Sequence, residues 1–173
     1  MIGEGLCPFA HPVFSSLLID VSASDELETV TADFMRLLQQ VAEADPEQLP
    51  TALFVSPNVL HDFDEFWNWV GICDNLLYQM GYEGLLQLAT FHPHYRFEGE
   101  DEADMSHFSN RAPFATLHII READMEEALA SISKPERIPE RNKQHMRRLG
   151  REGLLKAMPA LAKSRVFDDH RHK

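Results

Sequence analysis

The sequence predicts an α/β fold: a small mixed sheet of about four strands, with a parallel core plus one antiparallel strand, covered by helices. Three observations predict it. Four short runs are rich in branched and aromatic residues, apolar residues recur at helical spacing between the first three runs, and no helical spacing separates the third from the fourth. A strand–helix–strand unit closes as a right-handed crossover between parallel strands, so the first three strands run the same way. The fourth, reached without a helix, is expected beside the third and antiparallel to it.

Residues 14–21 (FSSLLIDV) form the first run, bounded by turn formers. Ser24 then offers a cap to a helix whose Leu27, Val30, Phe34, Leu37, Leu38 and Val41 share one face. Asp25, Glu26 and Glu28 stand in its first turn, where carboxylates suit the helix dipole. Pro46 and Pro50 mark the exit, and residues 52–56 make the second strand. Pro57 and Asn58 lead to Asp62, three residues before Glu65 as in a capping box. The next helix carries the stripe Phe66, Val70, Cys73, Leu77 and Met80 and stops at Gly81, which takes a left-handed conformation at little cost. Residues 85–91 and 114–121 are the third and fourth strands. Residues 124–132 read as a short helix, and Pro139 fits the first turn of another that runs to about Gly150, with helix continuing toward Ala162. One α/β domain is expected over 1–163, and 164–173 has too few apolar residues to pack and reads as a disordered tail.

Composition narrows the function classes. Against 16 Lys and Arg stand 28 Asp and Glu, a net charge of −12, so the chain repels polyanions and nucleic acid is not an expected partner. No apolar stretch reaches the roughly 18 residues a membrane span needs, and the N-terminus lacks a signal-peptide pattern. A cytoplasmic address without a membrane partner is expected. Cys7 and Cys73 are far apart and outside any C-x-x-C pair, so neither a disulfide framework nor a zinc knuckle is suggested.

The informative segment is 92–113 (HPHYRFEGEDEADMSHFSNRAP), a loop long enough in a compact domain to suggest function. It leaves the carboxyl end of a strand, the edge where open α/β sheets place ligand crevices, and Asn58 and His61 leave the second strand at the same edge. His92 is a candidate proton carrier near neutral pH. Asn110 and Arg111 offer an amide and a planar fork suited to an anionic group, and Tyr95 an aromatic anchor. Set against this, the acidic run 98–104 is a sufficient partner for Arg96 or Arg111, so an internal salt bridge competes with an anion site. His92, His94 and Glu98 invite a metal reading. However, alternate residues of a strand face opposite ways, so no metal ligand is assigned.

His118 lies on the same strand face as Thr116 and Ile120 and is expected to be buried, becoming an acid or base only if that face lines a crevice. Cys7 becomes a nucleophile or redox thiol only beside a histidine or a helix N-terminus. Cys73 belongs to the core. The candidate site is therefore His92, Cys7 and His118 for catalysis, with Asn58, Tyr95, Asn110, Arg111 and Arg141 for binding. A small-molecule enzyme or binder for an anionic ligand leads. The competing readings are a non-catalytic interaction module using the acidic loop and a metal-dependent hydrolase. The sequence specifies no cofactor.

Several of these residues recur together in a known pattern: Cys7-Pro8-Phe9-Ala10, Pro57-Asn58, His92-Pro93 with Tyr95 and Phe97, Asn110-Arg111 with Pro113, His118, Arg121-Glu122, and Ile138-Pro139 with Arg141-Asn142. Over residues 2–150 the chain resembles the bacterial domain of unknown function 1415 family. The resemblance implies a bacterial cytoplasmic protein and brings no established activity. It also implies an amphipathic helix ahead of the Cys7 motif, and here Met1 stands directly before Ile2. An apolar strip left uncovered by that helix would favour a homodimer or mark a truncated start. His94 departs from the acidic residue the family pattern has there, which weakens a His92/His94 metal pair.

Overall fold

The computed structural model describes residues 5–7, 14–130 and 132–167. A four-stranded mixed sheet forms its centre, with strands β1 (Leu18–Val21), β2 (Thr51–Ser56), β3 (Leu86–Phe91) and β4 (Ala115–Arg121) in the order β1-β2-β4-β3. The mixed sheet of four strands is the one expected, and β4 does run antiparallel beside β3. It also pairs antiparallel with β2, so β1–β2 is the one parallel pair and the parallel strands are not contiguous. The crossover from β2 to β3 skips one strand position, and β4 fills it. Every residue of β4 is buried, as a strand paired on both sides requires, the polar His118 and Arg121 included.

Helices α1 (Leu27–Glu43) and α2 (Phe63–Gln79) cover one face. Their stripes meet Ala52 and Phe54 of β2 and Ala115, Leu117 and Ile119 of β4 in the main core. Phe34 sits edge-on to Phe54 and Trp69, with ring centroids 5.6 and 5.8 Å away, and the Trp69 indole donates to the Thr31 hydroxyl. Truncating Phe34 to Ala would cost about 3–5 kcal/mol by the usual cavity penalty. Cys73 lies in this core, where burial pushes its thiol pKa up. On the far face, Ile19 and Val21 of edge strand β1 are exposed.

Arg121 ends β4 buried, and its guanidinium donates to the carbonyls of Val41, Ala44 and Leu49. It thereby satisfies the orphan end of α1 and the entry to β2 at once. Asp62 caps α2 as expected, its carboxylate accepting from the N–H groups of Asp64 and Glu65. Gly81 follows α2 in the left-handed conformation. The cap of α1 is Glu26, without a side-chain bond, and Ser24 accepts only from the Glu26 N–H.

The short helix α3 (Glu122–Ala130) follows β4, and α4 (Ile138–Ala157) packs on a 3-10 turn at Met105–Ser109 inside the long loop. Gly150 (φ 62°, ψ −179°) breaks α4 near the residue where an end is expected, and the helix then resumes. Beyond it come two 3-10 turns, Pro159–Lys163 and Arg165–Phe167. Met146, Leu154, Leu161 and Val166 build a second core with Leu6, Phe108 and Phe167. Residues 165–167 of the expected disordered tail are therefore packed, because Val166 fills this core. Residues 1–4 and 168–173 lie outside the described residues. No helix among the described residues is long and apolar enough to cross a membrane.

Candidate functional site

The chain leaves β3 at Phe91 and must satisfy its backbone through residues 92–113 without a strand ladder. Side chains take over that task. His92 is fully buried, stacked on Phe66 with centroids 5.0 Å apart. Its Nδ1 accepts from the His94 N–H, so the ring proton sits on Nε2, which donates to the Leu60 carbonyl at 2.9 Å. Burial pushes its pKa down to about 4. Leu60 adopts a left-handed backbone (φ 57°), a conformation that costs about 1–3 kcal/mol for a side-chain-bearing residue unless its surroundings hold it. The His92 bond and the burial of Leu60 hold it here.

His107 repeats the device: its Nδ1 accepts from the Phe97 N–H, and Nε2 donates to the Asp101 carbonyl. The Asn110 amide donates to the Thr90 carbonyl and accepts from the Ser109 hydroxyl. Arg111 donates from Nε to Tyr95 O and from Nη1 to Val166 O, with its guanidinium 4.5 Å above the Phe108 ring. His92, Tyr95, Asn110 and Arg111 thus come together in one folded loop. Asn58, just past β2, donates to the carbonyl of Ala23, just past β1. Cys7 and Arg141 belong to a different place: Arg141 reaches Gly5 O, and neighbouring Asn142 donates to Leu6 O. His118 faces away from the main core, since its strand neighbours Leu117 and Ile119 point into it. The Thr51 hydroxyl donates to Ile119 O and so accepts from His118 Nε2 at 2.7 Å. Burial holds the His118 pKa at about 4 as well.

Pinning the loop in this way presents a cleft of about 490 Å³ between it and the first two turns of α2. One wall is a run of aromatic rings. Phe63 and Trp67 lie one helical turn apart with centroids 5.9 Å apart, Tyr95 is edge-on to both at 5.3 and 6.3 Å, and Phe97 is edge-on to Tyr95 at 5.1 Å. Asp64, Glu98, Glu100 and Glu102 also line the cleft. Two cations of the chain already use this wall. Arg96 lies 5.4 Å from the Phe63 centroid and pairs with Asp64 at 2.6 Å, and Lys143 lies 4.7 Å from the Phe97 centroid and pairs with Glu100 at 2.8 Å.

The acidic run has partners, though not those expected. Glu100 and Asp104 pair with Arg147, and Glu100 with Lys143, both cations from α4, whereas Arg96 pairs outside the run. The Lys143 hydrogen bond, with Arg147 nearby, lowers the Glu100 pKa. Against the upward pull of burial, bonds from Arg147 and Ser106 hold Asp104 at about 2. Glu98 and Glu102 make no ion pair among the described residues. Sequence reasoning missed Phe63, Trp67, Lys143 and Arg147; only the i, i+4 spacing of the two aromatics could have signalled the wall.

A second cleft of about 550 Å³ is lined by polar Asp25, His61, Glu65 and Asn68 and by apolar Leu27, Val59, Leu60, Trp69 and Ile72. Arg165 donates to His61 Nδ1 at its edge. Among the described residues no group of three or more His, Cys, Asp or Glu is placed to hold a metal ion.

A family model described as Protein of unknown function (DUF1415) matches residues 1–156. No curated protein and no solved structure matches the chain.

Proposed function

We propose, for a chain that belongs to the DUF1415 family and takes no activity from it, a non-catalytic interaction module that captures cationic side chains of a basic protein partner in the aromatic cleft. One observation carries the reading: the wall of Trp67, Phe63, Tyr95 and Phe97 is bordered by Glu98 and Glu102, carboxylates that no described cation neutralises. A cation over an aromatic face gains about 0.5–1 kcal/mol when exposed and about 2 when desolvated. The net charge of −12 steers a basic partner toward this surface.

Geometry favours this reading over a site for a small anionic ligand. Arg111, the fork proposed for the anion, spends its donors on two backbone carbonyls, and His92 is sealed beneath Phe63 and Phe66. The metal-dependent hydrolase has no ligand cluster to stand on among the described residues. The cytoplasm is the proposed location, suited to two cysteines that are both free thiols.

The test is a titration with a short Arg/Lys-rich peptide and its Asp/Glu-rich counterpart, read by the fluorescence of half-exposed Trp67 against buried Trp69. The basic peptide is expected to bind saturably and to weaken steeply with added salt, as screening of exposed charges requires. Glu98→Gln with Glu102→Gln should weaken it about tenfold, equivalent to about 1.4 kcal/mol. Equal affinity for both peptides, or an unaffected double variant, overturns the proposal.

A further inference from the structure

The cations at the cleft are held in different ways. Lys143 and Arg147 project from α4 onto carboxylates that are themselves only about one-fifth exposed, and Arg147 grips both Glu100 and Asp104. Arg96 stands in the middle of the loop and is half-exposed, and its partner Asp64 is 74% exposed. Such a surface ion pair contributes little net stability, because water and salt compete for both members. Arg96 is therefore the cation that can leave.

Its pose also describes what could replace it. The guanidinium lies over the Phe63 ring while one nitrogen meets an Asp64 oxygen. A planar guanidinium can stack on a ring and bond a carboxylate together, whereas a lysine ammonium is a compact, strongly hydrated point charge. Resting on the cation-capture reading, we infer that Arg96 is a displaceable internal plug and that the cleft's external ligand is an arginine side chain of the partner, which takes the place over Phe63 and beside Asp64. Binding is an exchange of one guanidinium for another, with no bond made or broken. Apparent affinity is scaled down to the fraction of molecules in which the plug is unseated, a loss of about sixfold for a surface pair at the stronger end of its range.

The probes are argininamide and lysinamide, titrated by Trp67 fluorescence into the wild type, Arg96→Gln and Arg36→Gln. Arg36 pairs with Asp20 of β1, away from the cleft, so its variant changes net charge equally without touching the plug. Arg96→Gln should bind argininamide about three- to tenfold more tightly than the wild type, gain less for lysinamide, and leave Arg36→Gln at wild-type affinity. If the wild type binds argininamide and Arg96→Gln binds it no better, Arg96 is part of the wall and the plug is refuted. Equal gains for both probes, or an equal gain in Arg36→Gln, refute the guanidinium exchange in favour of general charge. If no variant binds either cation, the cation-capture reading falls too.

Discussion

Two buried imidazoles make the fold acid-labile in a window where few carboxylates titrate. His92 and His118 have folded pKa values of about 4, against about 6.5 for an unperturbed histidine, and burial is the main cause for both. A base whose folded pKa is depressed stabilises the native state fully above its unfolded pKa. Between pH 6.5 and 4 the unfolded chain binds protons that the native state refuses, so stability falls as pH falls. At 1.36 kcal/mol per pH unit, each imidazole costs about 2 kcal/mol by pH 5, and the pair about 4. That is a large share of the 5–15 kcal/mol typical of a domain. Below about pH 4.5, loss of the Glu100, Asp62 and Asp104 carboxylates, whose pKa values are lowered, adds a separate acid step. Urea denaturation at pH 7.5, 6.0, 5.5 and 5.0 should show a slope of about 2.3 kcal/mol per unit between pH 6 and 5, somewhat under the limit for two protons. His118→Gln retains a donor toward Thr51 and should halve that slope. A flat profile from pH 7.5 to 5, or a slope untouched by His118→Gln, would refute the argument that these rings are buried neutral.

Two arginines should prove structural in melting experiments. Arg111→Ala removes donors from the Tyr95 and Val166 carbonyls and a cation from the Phe108 ring, and should cost about 2–4 kcal/mol, read as a clearly lower Tm. Its basic-peptide affinity should persist below the new Tm; unchanged stability would mean that its guanidinium is available to a ligand. Arg121→Lys keeps the charge and cannot fan across the Val41, Ala44 and Leu49 carbonyls, so a loss of about 2–3 kcal/mol is expected, and a loss under about 0.5 would contradict the clamp.

The fold is legible where a local signal and the global arrangement agree. The stripe Val30–Phe34–Leu37–Leu38–Val41 predicts α1 because its period is helical, and every one of those residues is buried in the core. Asp62 announces the start of α2 because a carboxylate at that position satisfies two otherwise orphan N–H groups. Strand order is not legible in the same way. The pairing of Phe54 with Leu117, and of Leu117 with Thr90, is set by contacts distant in sequence. Nothing in LQLATF or ATLHIIR says which will be the edge, since both mix apolar residues with polar ones. The second core is hidden for a different reason: Leu6, Phe108 and Val166 belong to three segments, none of which has a periodic pattern of its own.

The candidate site shows how chemical reputation misleads. Histidine, asparagine and arginine attract functional readings because each can bind a substrate, but the donors and acceptors that make this possible also serve an unpaired backbone. A loop leaving the end of a sheet must bond its own N–H and C=O groups or pay about 1–3 kcal/mol for each one buried unsatisfied. His92, His107, Asn110 and Arg111 meet that need by joining the loop to Leu60, Asp101, Thr90, Tyr95 and Val166. Residues committed in this way are poorly placed to greet a ligand. What they leave at the surface is the opposite chemistry, aromatic faces and carboxylates, and such a surface selects cations. The polar motif and the proposed cleft are therefore one construction: break the His107 bond to the Phe97 N–H, and the ring that closes the wall loses its support.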